Sequence, residues 1–439
     1  MTFINIISAI GNNSSIYPLL VRDCCIEAPS KILIARKENL KESKAIANDA
    51  TREKAIDEYF TSAIWLGGIP AVECVADKFI SKKGFSPFVN LKLFKEEEKF
   101  GANALQGIQY NINKFKNIPI KDVQDAVNDL LKIKNNKFSY EKLLSKKFFA
   151  ATIIPTIIMG FVLPPLNFAL TRKLRRNNKE FNSNSDNVMQ NPSRSFTASK
   201  VNEFKQKIYA AQNANKPAFT GNFVSTVANL RTVDKMAISD GGLTIGRVST
   251  SRNKDEAYVN AFRMIGSMIL NFVTPAYIAK GLDKLANKIF GVNVNLDPLI
   301  LDNKEFIQAI KEDKVELPKS NSAKDLFEFI DTKQNTLFAK FADEMKKVSY
   351  LKSGIRDPRK YVDVEDLGKF RDEFENFIKS AKKSKNIEKF AKKAKFVKCI
   401  NILANIGISS FLLAVALPKL QYEFNKKVTG SYLDPGLRK

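Results

Sequence analysis

The chain has 439 residues, with 71 Lys+Arg against 46 Asp+Glu for a formal charge of +25, and no histidine. The missing imidazole excludes Ser-His-Asp and Cys-His catalysis, histidine-ligated metal and imidazole pH switching. The basic excess suits anionic lipid headgroups, nucleic acid or an acidic protein, yet lysine supplies 56 of the cations and arginine only 15, a bias away from bidentate readout of phosphates and bases.

In chain order, residues 1–51 read as a cytosolic-type segment. The opening MTFINIISAIGNNSSIYPLLVRD has no basic start, and Gly11, Asn12 and Asn13 break its apolar patch, so no cleavable signal peptide is expected. Cys24, Cys25, Cys74 and Cys399 have no C-x-x-C spacing and read as small hydrophobes, neither metal ligands nor a disulfide framework.

Residues 52–176 form a first expected membrane repeat. It opens with a weak apolar stretch at 59–76, YFTSAIWLGGIPAVECVA, which holds Gly67-Gly68, Pro70 and one carboxylate, Glu73. An ionisable side chain inside an apolar stretch is by default a candidate for an ion or proton pathway, but Glu73 stands near the end of the stretch, where it reads as an interfacial carboxylate or as the partner of a residue such as Arg263. A helical insert follows at 81–147, with Val123, Ala126, Val127, Leu130 and Leu131 on one face and Ser139 expected to cap the next helix. The strong span is 148–170, FFAATIIPTIIMGFVLPPLNFAL, 23 residues without a charge. At 1.5 Å per residue that is long enough for a hydrocarbon core of ~30 Å. Pro155, Pro164 and Pro165 are expected to kink it. Arg172, Lys173, Arg175 and Arg176 come directly after it and read as headgroup anchors.

Residues 177–199, rich in Asn and Ser, read as a disordered linker between halves. Residues 200–251 read as a mixed loop in which Gly241-Gly242-Leu243-Thr244-Ile245-Gly246 makes a turn, since it matches neither glycine-rich phosphate motif.

The second expected repeat, 252–430, has a weak apolar stretch at 257–279 containing Arg263 and Pro275, a helical insert at 281–398, and a strong span at 399–418, CINILANIGISSFLLAVALP. Within the insert, Asp302-x-x-Glu305 and Ser322-x-x-Asp325 look like helix starts. Leu326, Phe329, Ile330, Leu337 and Phe341 recur at helical spacing, and Asp357-Pro358 marks a break. A stripe of Leu367, Phe370, Phe374, Phe377, Ile378 and Ala381 then precedes Lys392, Lys393, Lys395 and Lys398, a pattern that fits a helix lying on an anionic leaflet. Lys426 and Lys427 are further headgroup anchors, and 431–439 is a C-terminal tail.

The strong spans align at an offset of 254 residues, where Ala150, Ile154, Leu163, Pro164, Leu166 and Lys173 meet Ala404, Ile408, Leu417, Pro418, Leu420 and Lys427. This suggests duplication and fusion, parallel if each half crosses twice and inverted if each crosses once. The expected fold class is therefore all-α: an integral membrane helical protein of two pseudo-repeats, each with one weak and one strong apolar helix plus soluble helical inserts. The expected location is an integral position in a bacterial inner membrane or its equivalent, with the bilayer and anionic headgroups as partners and room for a protein partner or a homo-oligomer. No cofactor, metal or catalytic site is expected. The leading functional expectation is a noncatalytic membrane scaffold or interaction protein with basic helices at the lipid surface. A small duplicated transporter or channel is the alternative, and a soluble basic nucleic-acid-binding protein is a third reading opposed by the clean spans.

Overall fold

The computed structural model describes residues 6–8, 20–101, 104–182, 220–230, 232–291 and 295–438. Within them the chain is helical with no strands, and the only bridge is an isolated pair between Tyr350 and Arg356. Of the expected linker, residues 177–182 continue a helix, while 183–199 lie outside the described residues.

Three helices are long and apolar enough to cross a membrane: Lys44–Lys82 (α2), Lys137–Arg176 (α3) and Ile387–Thr429 (α7). A fourth crossing arises if Lys254–Phe272 (α5) and Thr274–Phe290 (α6), bent by 40°, count as one span. Two shorter helices precede α2 and α5. They are Ala28–Leu40 (α1), joined to α2 through residues 41–43, and Thr232–Ser249 (α4), joined to α5 through residues 250–253.

The span prolines do not break their helices. Each of Pro70, Pro155, Pro164 and Pro418 stands two residues after a five-residue wide turn: Ile64–Gly68, Phe149–Ile153, Ile158–Val162 and Leu412–Ala416. Proline removes a donor and collides with the carbonyl one turn back. Widening the turn so that the closing N–H reaches five residues back relieves the clash and keeps the backbone paired. Pro275 has no such turn, and the helix bends between α5 and α6. The expected cap at Ser139 is not formed, because α3 already starts at Lys137.

The chain divides into two compact units. The first comprises residues 1–12, 76–145 and 279–405, so both inserts belong to it. Its core gathers Phe306, Phe338, Phe341, Phe370, Phe374 and Phe377, with Phe370 and Phe374 ring centroids 4.9 Å apart. The expected stripes at 326–341 and 367–381 supply much of it, with Leu337 and Ile378 at its partly buried margin. On the helix Lys121–Asn135 the buried face is Val123, Ala126, Val127, Leu130 and Ile133. Leu131, placed there by the sequence reading, is instead 40% exposed. Ser322 caps its helix as expected, accepting from the Asp325 N–H at 3.2 Å, whereas Asn303 and not Asp302 caps Lys304–Lys311. The two inserts are stitched together by Arg356, buried between the rings of Phe115 and Phe327 and bonded to Asp331 at 2.7 Å and Asn111 at 3.3 Å.

The second unit comprises residues 13–75, 146–278 and 406–439. Here the helices present apolar surface outward: only 6% of the apolar window of α2, and 33% of those of α3 and α7, is buried. Residues 232–249, expected within a loop with a turn at Gly241–Gly246, are the helix α4. The glycines serve packing. A Cβ on Gly246 would lie 2.7 Å from the Gly160 Cα, and one on Gly242 would lie 2.8 Å from Thr156 Cγ2. The spacing Gly242-x-x-x-Gly246 therefore lets α4 rest directly on α3, as small residues do between membrane helices.

Candidate functional site

The second unit keeps its charges inside. Along α2 the lead-in to the weak apolar stretch carries Glu53, Lys54, Asp57 and Glu58, and each meets an oppositely charged side chain. Glu58 lies between Lys54 at 2.8 Å and Lys31 of α1 at 3.3 Å, and Lys31 also reaches Glu27 at 3.0 Å. Asp57 lies between Arg247 of α4 at 2.7 Å and Arg263 of α5 at 3.6 Å. Arg252, in the turn between α4 and α5, grips Glu53 at 2.9 Å and Glu256 at 2.8 Å while its guanidinium covers the Phe168 ring at 4.0 Å. Burial works against the charged forms of Lys31 and Arg252, yet their carboxylate partners prevail and hold both cations above their ordinary values. Burial dominates at Asp434, beside Asn39 and Tyr422, and raises its carboxyl.

This network surrounds two cavities. One, of about 100 Å³, is walled by Pro164, Asn167 and Phe168 of α3 and by Pro418, Gln421 and Tyr422 of α7, three pairs each 254 residues apart. The wide turns Ile158–Val162 and Leu412–Ala416 stand at the same offset. The packing partners correspond too. Helix α2 packs on α3 and α5 packs on α7, whereas α1 packs on α7 and α4 packs on α3. The second cavity, of about 170 Å³, shares Lys31, Lys54, Arg247 and Arg263 and extends to Trp65, Asp240, Ser267, Met268 and Asn271.

Arg263, singled out from the sequence, belongs to this site. Glu73 does not; it is exposed on α2, and the carboxylate facing Arg263 is Asp57. Among the expected headgroup anchors, Arg172, Lys173, Arg176, Lys392 and Lys427 are exposed. Arg175 pairs inward with Asp49 and reaches the Leu437 carbonyl at 3.3 Å. Lys393 donates to the Phe290 carbonyl at 2.7 Å, Lys395 to Asp302 at 2.5 Å and Lys426 to the Tyr432 hydroxyl at 3.2 Å, while Lys398 is half-buried. The apolar stripe of Val364–Lys383, proposed above for a leaflet surface, is spent on the core of the first unit.

The sequence reading missed Lys31, Glu53, Lys54, Asp57, Glu58, Arg247 and Arg252. The available signal was four charged residues within six positions directly before an apolar stretch, and a cation directly after a G-x-x-x-G. Among the described residues no cluster of side chains is suited to hold a metal ion. What the arrangement offers is a charged chamber bordered by both strong apolar helices. Comparison with known protein families, with characterised proteins and with solved structures finds no match for the chain.

Proposed function

We propose that this is an integral membrane protein of transporter or channel type, built by duplication, whose halves run in the same direction and share a polar cavity that passes a small charged solute. The observation that carries the reading is the cavity wall: the same positions of two strong apolar helices, at one constant offset, enclose a dense network of ion pairs. Buried ion pairs cost several kcal/mol per ion in desolvation and are rarely worth their cost for stability alone. A helix bundle that only anchored an insert would gain nothing from them, whereas charged groups among spans commonly line solute and ion paths.

Contacts within the second unit support the parallel sense. Arg252 ties the early part of α2 to the start of α5, so both helices leave from one end. Asn167 of α3 donates to the Glu53 carbonyl at 2.8 Å, and Phe424 of α7 stacks on Phe262 of α5 at 4.6 Å, so both strong spans return toward that end. Exposed Arg172, Lys173 and Lys427 are the headgroup contacts in this reading. The cavities have room for only a few water-sized molecules, which restricts the solute to an ion or a molecule of similar size.

A noncatalytic membrane scaffold is the second reading, favoured by the size of the folded insert unit. Liposomes containing the full chain, loaded with potential- and pH-sensitive dyes and given K⁺, Na⁺, Cl⁻ and proton gradients in turn, divide the two. Flux above that of empty vesicles, lost on Arg247→Gln, supports the transporter reading. No flux of any of these ions through folded, inserted protein rejects it and leaves the scaffold.

A further inference from the structure

The wider cavity holds one acid that the ion-pair network does not use. On α4, Asp240 stands seven residues before Arg247, which at 1.5 Å per residue is about 10 Å along the helix. The bond from Thr244 Oγ1 to Met268 Sδ at 3.6 Å sets the register of α4 against α5 and brings Asp240 level with Asn271, inside the apolar stretch 257–279. We infer that Asp240 is a proton-binding carboxylate at the inner end of this cavity, through which the solute movement proposed above is coupled to protons or carried by them. The inference rests on that reading for its purpose and on the geometry of the cavity for its chemistry.

Charged groups face the cavity from several elements. Ahead of α1, Arg22 pairs with Asp23 at 2.9 Å and with Glu27 at 3.1 Å, and Glu27 also holds Lys31. On α2, Lys54 and Glu58 pair with each other; Arg247 of α4 and Arg263 of α5 share Asp57. The residues of α3 that meet α4 here, Thr156 and Gly160, are uncharged, as are Leu413, Leu417, Pro418 and Gln421 of α7. Only Asp240 among these acids has no hydrogen bond or ion pair at its carboxylate among the described residues; its backbone carbonyl alone accepts, from Thr244 Oγ1. Nearby, Asn271 Oδ1 is buried without a hydrogen-bond partner.

A half-buried carboxylate with no counter-ion of its own is neutralised most cheaply by a proton. A metal cation fits poorly, since Asp240 is the one unpaired carboxylate among the described acids that line the cavity and no cluster of acidic side chains joins it, whereas divalent ions take six or more oxygen ligands. The step is a simple one. The carboxylate takes a proton from cavity water, becomes a neutral acid able to donate to the Asn271 oxygen, and returns the proton when the cavity is next hydrated. No electrons move.

The chain contains its own reporter, because its single tryptophan, Trp65, lines the same cavity. Full-length protein in nanodiscs, in choline buffers free of Na⁺ and K⁺, is followed by tryptophan emission from roughly pH 4 to 7. The expected result is one single-proton transition spread over about two pH units. It is lost in Asp240→Asn, kept with a shifted midpoint in Asp240→Glu, and unchanged in Glu73→Gln, whose carboxylate lies outside the cavity. A transition that survives in a folded Asp240→Asn, or no transition in the parent chain, overturns the inference. An emission change driven by Na⁺ or K⁺ at fixed pH, with none driven by protons, overturns it in favour of a metal cation. Because emission needs no transport, absence of flux in liposomes with the transition intact would reject the transporter reading and leave the proton site standing.

Discussion

The two units invert each other's polarity. In the first, phenylalanines fill the interior and ion pairs such as Lys369–Glu365 and Lys333–Glu316 lie exposed. In the second, Asp57, Arg247 and Glu53 are enclosed, while Ile154, Ile157, Ile265, Ile269, Ile408 and Phe411 are each at least 40% exposed. A scattered exposed hydrophobe means little, but whole apolar faces turned outward around a charged interior are what an apolar solvent selects. The two units therefore carry opposite arrangements of apolar and charged surface. The three long apolar helices are compatible with a membrane, and the outward faces give that compatibility its physical reason.

The contrast can be broken most forcefully at the two interiors. Phe374 is fully buried against Phe306, Phe338, Phe341 and Phe370, so Phe374→Ala should cost about 3–5 kcal/mol, read as a lowered midpoint in denaturant unfolding of the full chain. In the second unit, Arg252→Met leaves Glu53 and Glu256 facing each other without their shared cation and should cost about 3–5 kcal/mol. A cost under about 0.5 kcal/mol, as for ordinary surface substitutions, would remove the network from the account.

Smaller effects sharpen the comparison. Ile154 is 53% exposed, so Ile154→Lys would be nearly neutral if water surrounded it, whereas within a bilayer it should cost about 2.5–3.5 kcal/mol and lower the inserted fraction in a membrane-insertion assay. Glu373, in the first unit, has its carboxyl pushed up to about 7 by burial, against the pull of Lys398 and Lys347. The folded state then binds that proton more tightly than the unfolded chain does, so stability falls as pH rises from the ordinary value of 4.5 toward about 7. Glu373→Gln should accordingly raise the melting temperature at alkaline pH and leave it unchanged in acid. Smallest of all, Lys369→Ala removes an exposed pair and should leave the melting temperature of the full chain unchanged.

Much of the scaffold was legible because it is written locally. The uncharged runs 148–170 and 399–418 announce helices by length alone, and the stripes at 326–341 and 367–381 by period. The Leu131 error came from choosing neighbours on the helix wheel one step too far round, where Ile133 completes the buried face. Gly242 and Gly246 looked like a turn because their reason lies in Gly160 and Thr156, more than eighty residues earlier in the chain. The charged network was illegible for the same cause. Lys31, Asp57, Arg247, Arg252 and Arg263 look like ordinary surface charges until α1, α2, α4 and α5 converge, and a search for carboxylates inside apolar runs passes over those that border them.

The central claim is that an apolar solvent surrounds the second unit. Membranes from cells expressing the full chain, washed in alkaline carbonate and sedimented, test it at once. Retention in the pellet, with release only by detergent, is the predicted result. Recovery of folded, monodisperse protein in the carbonate supernatant would contradict it.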